Sequence, residues 1–467
     1  METSFEQTIT TVWNKSKWIV KGCIIAGMAL LLMIPMLYVK SIIIEREQRQ
    51  QEVTSEISSK WAGRQNITGP VIGIPFWMSD EADTSSKKPA TRHIAYFLPD
   101  SLNINATINP KEKHRGIFKV MLYDAKATLR GSFNQLAIDK LNISPDKFIW
   151  NEAFVTMNIA DYRGLNNQLT LTWKDSIIEL SPQVGSAKEG MTALLKTTSA
   201  DDFKNASFIT SIDLNGSEQL LFTPVGKSTM VTVNSGWKHP SFSGSMLPQI
   251  TDVSDNGFKA TWKSMSHKRN FPQQWIDGAY NLDTYFPAPS TGNEVRFDGS
   301  GGIKNATTVS NVTVGASAFG VDLFIPVNGY QKTLRTIKYA LLCILLTFAA
   351  FFLIETANKK SAHPFQYGLI GLALILFYTL LLSISEYTGF NTAYLIASAA
   401  TIGLIGWFVK SILQSGRATT ILSVVLVLIY SYVFSLLQLQ DYSLLLGSIG
   451  LFLTLAVIMY FSKKMQW

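Results

Sequence analysis

Residues 337–384, IKYALLCILLTFAAFFLIETANKKSAHPFQYGLIGLALILFYTLLLSI, contain two long apolar runs separated by a short polar segment. A helix of roughly 20 apolar residues is long enough to cross the roughly 30 Å hydrocarbon core of a membrane. The whole chain has 467 residues, of which 47% are hydrophobic and 16% charged. Six such runs occur, so the sequence predicts six transmembrane helices, at about 19–39, 337–354, 366–384, 393–409, 419–437 and 444–461.

The first apolar run resembles a secretion signal, because three lysines precede or begin it. Its apolar length of about 18 residues exceeds a usual signal-peptide core. The sequence YVKSIIIEREQ follows it, where a cleavage site would need small residues. The pattern therefore predicts an uncleaved N-terminal signal-anchor helix.

The distribution of basic residues predicts the orientation of the chain. Cytoplasmic flanks of membrane helices are rich in lysine and arginine, and the two short loops SEYTGFN and LQLQDY contain neither. We therefore expect both termini in the cytoplasm and residues 40–333 on the outer side. The residues that determine this topology are Lys15, Lys17, Lys21, Lys359, Lys360, Lys410, Arg417, Lys463 and Lys464.

The net charge of +8 does not indicate a nucleic-acid-binding protein. The outer segment 40–333 holds 30 Lys+Arg and 28 Asp+Glu, whereas the rest of the chain holds 11 and 5. The basic excess thus belongs to the membrane topology. Both cysteines, Cys23 and Cys343, lie in predicted membrane helices, so no disulfide is expected in the outer segment.

The outer segment begins with a helical pattern and continues as strands. Residues 40–61 lack Gly and Pro and place Val53, Ile57 and Trp61 four residues apart, which predicts a helical stalk. From 67 to 330, alternating stretches such as GIFKVMLYDAKATLRGSF are separated by turn signals, which predicts a large, mainly antiparallel β domain. A sandwich, a barrel and irregularly packed sheets remain open alternatives.

Several motifs resemble one known family, the CreD inner-membrane proteins of Gram-negative bacteria. They are IPMLYVKSIIIERE, GPVIGIPF, SGWKHPSFSGSMLP, GFKATW, RTIKYALLCILLTFAAFFLIE and HPFQYGLIGLALILFYTLLLSISEYTGF, in this order along nearly the whole chain. The resemblance implies a multi-pass inner-membrane protein with a periplasmic domain, involved in cell-envelope integrity and the response to envelope stress. It implies no reaction and no catalytic residues.

The polar segment between the second and third predicted helices contains two candidate functional residues, Glu355 and His363. Glu355 precedes Lys359 by four residues, which suits an ion pair at a helix end. Pro364 suits the first turn of the next helix, with Ser361 as a cap. Sensing of protons, contact with a partner, or a metal site that also uses Glu2 or Glu6 are the alternatives.

Glu386, Asp441 and His239 are the remaining candidates. Glu386 and Asp441 lie in the two short outer loops, either as helix-end residues or as a shared acidic site for a cation or a basic partner. His239 lies near three serines, but no G-x-S-x-G sequence accompanies them, so a proline-bent strand is the favoured interpretation.

The sequence favours a non-enzymatic protein without a cofactor or a metal. We expect its periplasmic β domain to bind an envelope component or a protein partner, with the helices in the lipid bilayer. The alternative is a transporter or flippase for a lipid-like molecule that uses the C-terminal bundle of five helices. The sequence does not predict an oligomeric state.

Overall fold

The computed structural model describes residues 20–78, 91–182, 190–282, 312–323, 329–358, 360–439, 445–450, 452, 456 and 459. The chain divides into two compact units. The helical unit comprises Met1–Glu52 and Val327–Trp467, and the sheet unit comprises Val53–Pro326.

Six α-helices are described between residues 20 and 438. They are α1 (Val20–Trp61), α2 (Gly329–Lys338), α3 (Ala340–Ala357), α4 (Pro364–Thr388), α5 (Phe390–Leu413) and α6 (Gly416–Gln438). All except α2 are long and apolar enough to cross a membrane, and these five helices correspond to five of the six predicted spans. Half of the sixth, 444–461, lies outside the described residues, and the described positions 445–450, 452, 456 and 459 are helical.

Helix α1 buries one narrow stripe of its surface, which we call the α1 seam. Its members are Ile25, Ala29, Leu32, Met36, Val39 and Ile43, each at most 8% exposed. Their spacing alternates between four and three residues throughout, as in the a and d positions of a coiled coil. The apolar side chains on the other faces, such as Leu30 and Leu37, are more than 60% exposed and suit contact with lipid.

The seam packs closely against α4 at Gly371. A Cβ atom at this position would lie 2.1 Å from Cδ1 of Leu32, so any larger residue would force the Leu32 side chain to move. Small residues allow membrane helices to approach in this way. Leu32 is also the single turn residue within α1, three residues before Pro35, whose ring and missing N–H disturb the preceding helical turn.

Helices α4 and α5 form a tight hairpin. Gly389 is the only residue between them and has a φ of 83°. Residues other than glycine rarely adopt this backbone conformation. Pro364 occupies the first turn of α4, as its sequence context predicts.

The sheet unit contains nineteen described strands. They are β1 (Gln65–Met78), β2 (Thr91–Phe97), β3 (Ser101–Arg115), β4 (Phe118–Phe133), β5 (Phe154–Ile159), β6 (Thr170–Trp173), β7 (Ser176–Glu179), β8 (Ser181–Pro182), β9 (Met191–Leu194), β10 (Ala206–Ser217), β11 (Gln219–Phe222), β12 (Ser228–Ser235), β13 (Ser241–Gly244), β14 (Ile250–Ser254), β15 (Gly257–Met265), β16 (Gln274–Ile276), β17 (Tyr280–Asn281), β18 (Val312–Thr313) and β19 (Phe319–Asp322).

These strands form two large sheets and one small pair. The first sheet has the order β13-β19-β11-β1-β5-β9-β8, with β2 pairing β1 and β16 pairing β2. The second has the order β14-β15-β12-β3-β4-β10-β6-β7, and β17 pairs with β18. Most neighbouring strands are antiparallel, but β1/β11 and β3/β12 run parallel, so the sheets are mixed.

The parallel pairs arise where the chain passes from one sheet to the other. Strand β10 ends at Ser217 in the second sheet and β11 begins at Gln219 in the first, leaving only Glu218 between them. Glu218 has a positive φ of 61°, which redirects the chain. The alternation in the sequence predicts strands but not this change of sheet, which brings strands distant in sequence side by side.

One continuous hydrophobic core joins the two large sheets. On β3 the alternate residues Leu102, Ile104 and Ala106 are buried, as the two-residue period predicts. Trp262 of β15 stacks on Phe319 of β19 with ring centroids 5.8 Å apart, linking one sheet to the other. The two sheets therefore pack on each other through interdigitated side chains.

Candidate functional site: carboxylates facing the first helix

Glu355, near the end of α3, is the most completely enclosed acidic side chain among the candidates. The residue is 0% exposed, and its carboxylate forms an ion pair with Nζ of Lys21 on α1. The ammonium group of Lys21 also lies 5.9 Å from the centre of the Tyr367 ring. A buried ion pair of this kind holds its two elements together because either charge alone is costly to bury.

The same carboxylate also accepts hydrogen bonds from the segment between α3 and α4 and from α4 itself. Oε1 accepts a hydrogen bond from the backbone N–H of Ala362 at 2.7 Å, and Oε2 accepts one from the hydroxyl of Tyr367 at 2.6 Å. Phe348 and Phe351 pack on the Tyr367 ring. Glu355 thus binds three elements at once: α1, the polar segment and α4.

The expected partner of Glu355, Lys359, lies outside the described residues, as do Lys15, Lys17, Lys463 and Lys464. From the sequence alone, Lys21 is predicted only to help determine the membrane topology. Its position four residues before Ile25 places it on the α1 seam, and this spacing is the signal that could have identified it.

Glu386, at the C-terminal end of α4, also faces α1. Its Oε1 accepts a hydrogen bond from the hydroxyl of Tyr330 at 3.0 Å, and Nε of Arg46 lies 4.0 Å away. The Glu386 side chain is 11% exposed. Arg46 follows Ile43 by three residues, so it continues the α1 seam at the end opposite to Lys21.

The two ion pairs therefore lie at the two ends of the same helical stripe. Lys21 and Arg46 are 25 residues apart, which corresponds to about 37 Å along an α-helix. This length slightly exceeds the roughly 30 Å hydrocarbon core. The apolar seam thus matches the interior of a membrane, and each charged pair matches one of its boundaries.

His363 caps α4. Its ring Nδ1 accepts the N–H of Phe365 at 3.2 Å, and its backbone N–H donates to Oε1 of Gln366 at 3.0 Å. The prediction that Ser361 is the cap is therefore wrong. The ring is engaged with its own helix, and the structure does not bring it together with Glu355 as a shared metal or acid/base site.

Asp441 lies outside the described residues, so the structure does not test a site that it shares with Glu386. His239 is exposed, and its carbonyl accepts a hydrogen bond from the indole N–H of Trp237 at 2.9 Å. Among the residues that the structure describes, no three His, Cys, Asp or Glu side chains lie together as a metal site requires.

The sequence reasoning missed one buried acid of the sheet unit, Asp322 at the end of β19. Its Oδ1 accepts hydrogen bonds from Nε2 of Gln219 at 2.6 Å and from the hydroxyl of Ser243 at 2.8 Å. Burial raises the pKa of Asp322 above its ordinary value, although the two hydrogen bonds and Arg64 oppose this shift. The neighbouring Glu218 also raises it.

These positions lie where the chain enters and leaves the sheet unit. Arg64, just after α1, donates to Glu218 at 2.9 Å, and the backbone N–H of Leu323 donates to the carbonyl of Glu218 at 2.7 Å. The backbone N–H of Ser217 donates to the carbonyl of Gly63. The corner between β10 and β11 thus contacts both the segment that follows α1 and the segment that follows β19.

A family model described as "Inner membrane protein CreD" matches residues 17–467. The chain belongs to the CreD family. The Inner membrane protein CreD of Escherichia coli (strain K12) is 30% identical to it over 446 residues, covering 94% of this chain and 92% of that protein.

Family membership and the five apolar helices together describe a multi-pass inner-membrane protein with an envelope-related function. For this CreD-family protein, the motifs quoted from the sequence acquire structural roles. RTIKYALLCILLTFAAFFLIE ends in the carboxylate that binds Lys21, and HPFQYGLIGLALILFYTLLLSISEYTGF contains the cap, Tyr367, Gly371 and Glu386.

Proposed function

We propose that this CreD-family protein is a non-enzymatic component of the cell envelope whose sheet unit lies in the periplasm and binds an envelope component or a protein partner. Its helices anchor it in the inner membrane with both termini in the cytoplasm. Helix α1 relays the state of the sheet unit to Glu355 and its partners Lys21, Ala362 and Tyr367, which lie at the cytoplasmic boundary. Through this relay the protein contributes to envelope integrity and to the response to envelope stress.

The observation that carries this proposal is that α1 has charged contacts in both units. Near its start, Lys21 pairs with Glu355 in the helical unit. Near its end, Glu56 lies 2.5 Å from Arg115, and the carbonyl of Ser59 accepts a hydrogen bond from Arg163 at 2.6 Å, both within the sheet unit. A single helix of 42 residues thus connects the two sets of contacts.

At the sheet end, Glu56 has two basic partners, Arg115 and Lys60. Hydrogen bonds from Arg115 and Lys60 lower the pKa of Glu56 to about 2. At neutral pH the carboxylate is therefore charged and available for its contacts with Arg115 and Lys60.

The side chains of the helical unit support anchoring better than transport. Carriers place ionisable groups along an open path near the middle of the membrane. Both oxygens of Glu355 instead bond to protein groups, and the residue is closed to solvent. Glu386 likewise has Tyr330 and Arg46 as partners.

Charge reversal tests the relay. In cells that lack the chain, Lys21→Glu and Glu355→Lys should each fail to restore resistance to a detergent that the intact envelope excludes. The double exchange recreates the ion pair with opposite polarity and should restore resistance. Lys40→Glu changes an exposed charge outside the seam and serves as the matched control.

Abundance in the membrane and protease resistance of the sheet unit must be measured for each variant, so that loss of folding is recognised. The relay is wrong if both single variants protect the envelope fully. It is also wrong if the double exchange fails although its sheet unit is folded and its amount is normal.

A further inference from the structure

A cavity of about 440 Å³ opens on the sheet unit beside the end of β1. It is lined by Trp77, by the segment from Asp146 to Asn151, and by Thr197 and Thr198. Small-molecule sites usually have volumes of about 300–1,000 Å³ and combine aromatic walls with a few polar groups. This cavity has both properties and none of its lining residues takes part in the clusters described above.

Aromatic rings form one wall of the cavity. Trp77 is 48% exposed although it is a large hydrophobic side chain, and Phe148 and Trp150 lie side by side with ring centroids 5.2 Å apart. Phe148 also packs on Phe76 of β1 at 5.4 Å. Trp77 thus presents an exposed aromatic face beside these ordered rings, and aromatic side chains of this kind are common in the walls of ligand sites.

Hydrogen bonds hold this wall in place. The backbone N–H of Ile149 donates to the carbonyl of Pro75 at 2.8 Å, and the indole N–H of Trp150 donates to the carbonyl of Pro145 at 3.2 Å. The hydroxyl of Thr197 donates to the carbonyl of Trp150 at 2.6 Å. A surface that is already ordered loses little conformational entropy when a ligand binds.

Polar groups on the rim match a ligand with many hydroxyl or amide groups. Asp146 and Asn151 are exposed and supply carboxylate and amide groups. A hydrogen bond from Ser144 lowers the pKa of Asp146, so the carboxylate is charged at neutral pH and acts as an acceptor. Asn151 offers both a donor and an acceptor.

The charge around the cavity is balanced, which argues against phosphate or a polycation as the ligand. Lys147 follows Asp146 in the lining, and nearby Arg92 pairs with Glu152. Anion sites instead gather several positive groups or backbone N–H groups around one point.

We propose that this cavity binds an uncharged sugar ring, in particular an N-acetylated hexose of an envelope glycan. The apolar C–H face of the ring packs on Trp77, while its hydroxyl and amide groups bond to Asp146 and Asn151. The proposal rests on the proposed function, in which the sheet unit binds an envelope component, and names the chemical class of that component.

The test uses the full chain in a detergent without a sugar headgroup, because a maltoside would compete for the cavity. The probe is triacetylchitotriose, and binding is measured by isothermal titration calorimetry. We expect saturable binding by the natural chain and at least a tenfold weaker affinity for Trp77→Ala and for Asp146→Asn. Trp77→Phe keeps an aromatic face and should retain most of the affinity.

Ile177→Ala is the matched control, because Ile177 is a 77% exposed apolar residue on β7 and does not line the cavity. It should bind the probe as the natural chain does. The proposal is overturned if the natural chain does not bind the probe, if Ile177→Ala and Trp77→Ala lose affinity equally, or if inorganic phosphate binds in place of the sugar.

Failure of this proposal is distinguishable from failure of the proposed function. A photoreactive residue at Thr198, which is exposed, lines the cavity and leaves Trp77 in place, reports in living cells which envelope molecules reach this surface. Capture of a lipid or protein without glycan overturns the sugar site and leaves the binding role intact. Capture of glycan that requires Trp77 supports both.

Discussion

At the scale of single residues, buried carboxylates show how the same side-chain type serves different purposes. Glu355 is compensated by a cation and two hydrogen-bond donors. Asp322 has two neutral donors on its Oδ1, with the charged Arg64 farther away. Glu355 thus has a charged partner within contact distance, whereas burial of Asp322 prevails over its hydrogen bonds and raises its pKa.

The raised pKa of Asp322 predicts a pH dependence of stability. A carboxyl whose pKa is higher in the folded state contributes most to the free energy of unfolding below its unfolded pKa, and this contribution is lost as the pH rises through the folded pKa. Asp322→Asn cannot ionise. As the pH rises from 4 to 7.5, the melting temperature of the natural sheet unit should therefore fall relative to that of Asp322→Asn.

This comparison is made on the full chain, with the transition of the sheet unit followed by tryptophan fluorescence. Asp255→Asn, at an exposed turn, should follow the natural chain at both pH values. A difference between the natural chain and Asp322→Asn that stays constant or grows in the opposite direction would contradict the assignment.

At the scale of elements, the sequence predicts where a helix begins better than it predicts which residue caps it. Pro364 predicted where α4 begins, but the cap is His363 and not Ser361. Histidine is an uncommon cap, and only its ring position relative to the N–H of Phe365 shows the role. Loss of an N-cap hydrogen bond costs about 1 kcal/mol.

His363→Ala should accordingly lower the stability of the helical unit by about 1 kcal/mol, whereas Ser361→Ala should leave it unchanged. Reversible unfolding in mixed micelles measures both variants. Equal effects of the two substitutions would restore Ser361 as a contributor to the cap.

The α1 seam makes a second prediction for elements. Ile43 is 0% exposed and its neighbour Ile44 is 38% exposed. Ile43→Ala leaves a cavity and should cost about 2–5 kcal/mol of unfolding free energy, while Ile44→Ala should cost much less. The pair is matched in residue type and depth, so similar losses in the same unfolding assay would show that α1 does not pack through this stripe.

At the scale of the whole molecule, the distribution of basic residues predicts that the sheet unit is periplasmic and that the segment between α3 and α4 is cytoplasmic. Cysteines introduced at Ser176 and Asn358, both exposed, test this in a chain whose two natural cysteines are replaced. A reagent that cannot cross the inner membrane should label position 176 only. Labelling of position 358 in intact cells would reverse the topology.

The sequence by itself determined the membrane class and the division into helices and strands. Apolar length and two-residue alternation are local patterns, because each depends on how a short segment meets lipid or a core. The five long apolar helices and the alternate burial of Ala125, Ala127 and Leu129 on β4 agree with these predictions for this reason. The family was visible in the motifs because they cover nearly the whole chain.

Only the tertiary structure decided which distant residues meet. Lys21 and Glu355 are separated by 334 positions. The local sequence around Lys21 indicates only a residue that sets the membrane topology, and that around Glu355 only a helix-end residue, so neither predicts that the two residues pair. The passage of the chain between sheets at Glu218 likewise brings Gln219 to Asp322. Many residues of the chain could form such contacts equally well as far as their local sequence shows. Only the packing of complete helices and strands decides which of them come together.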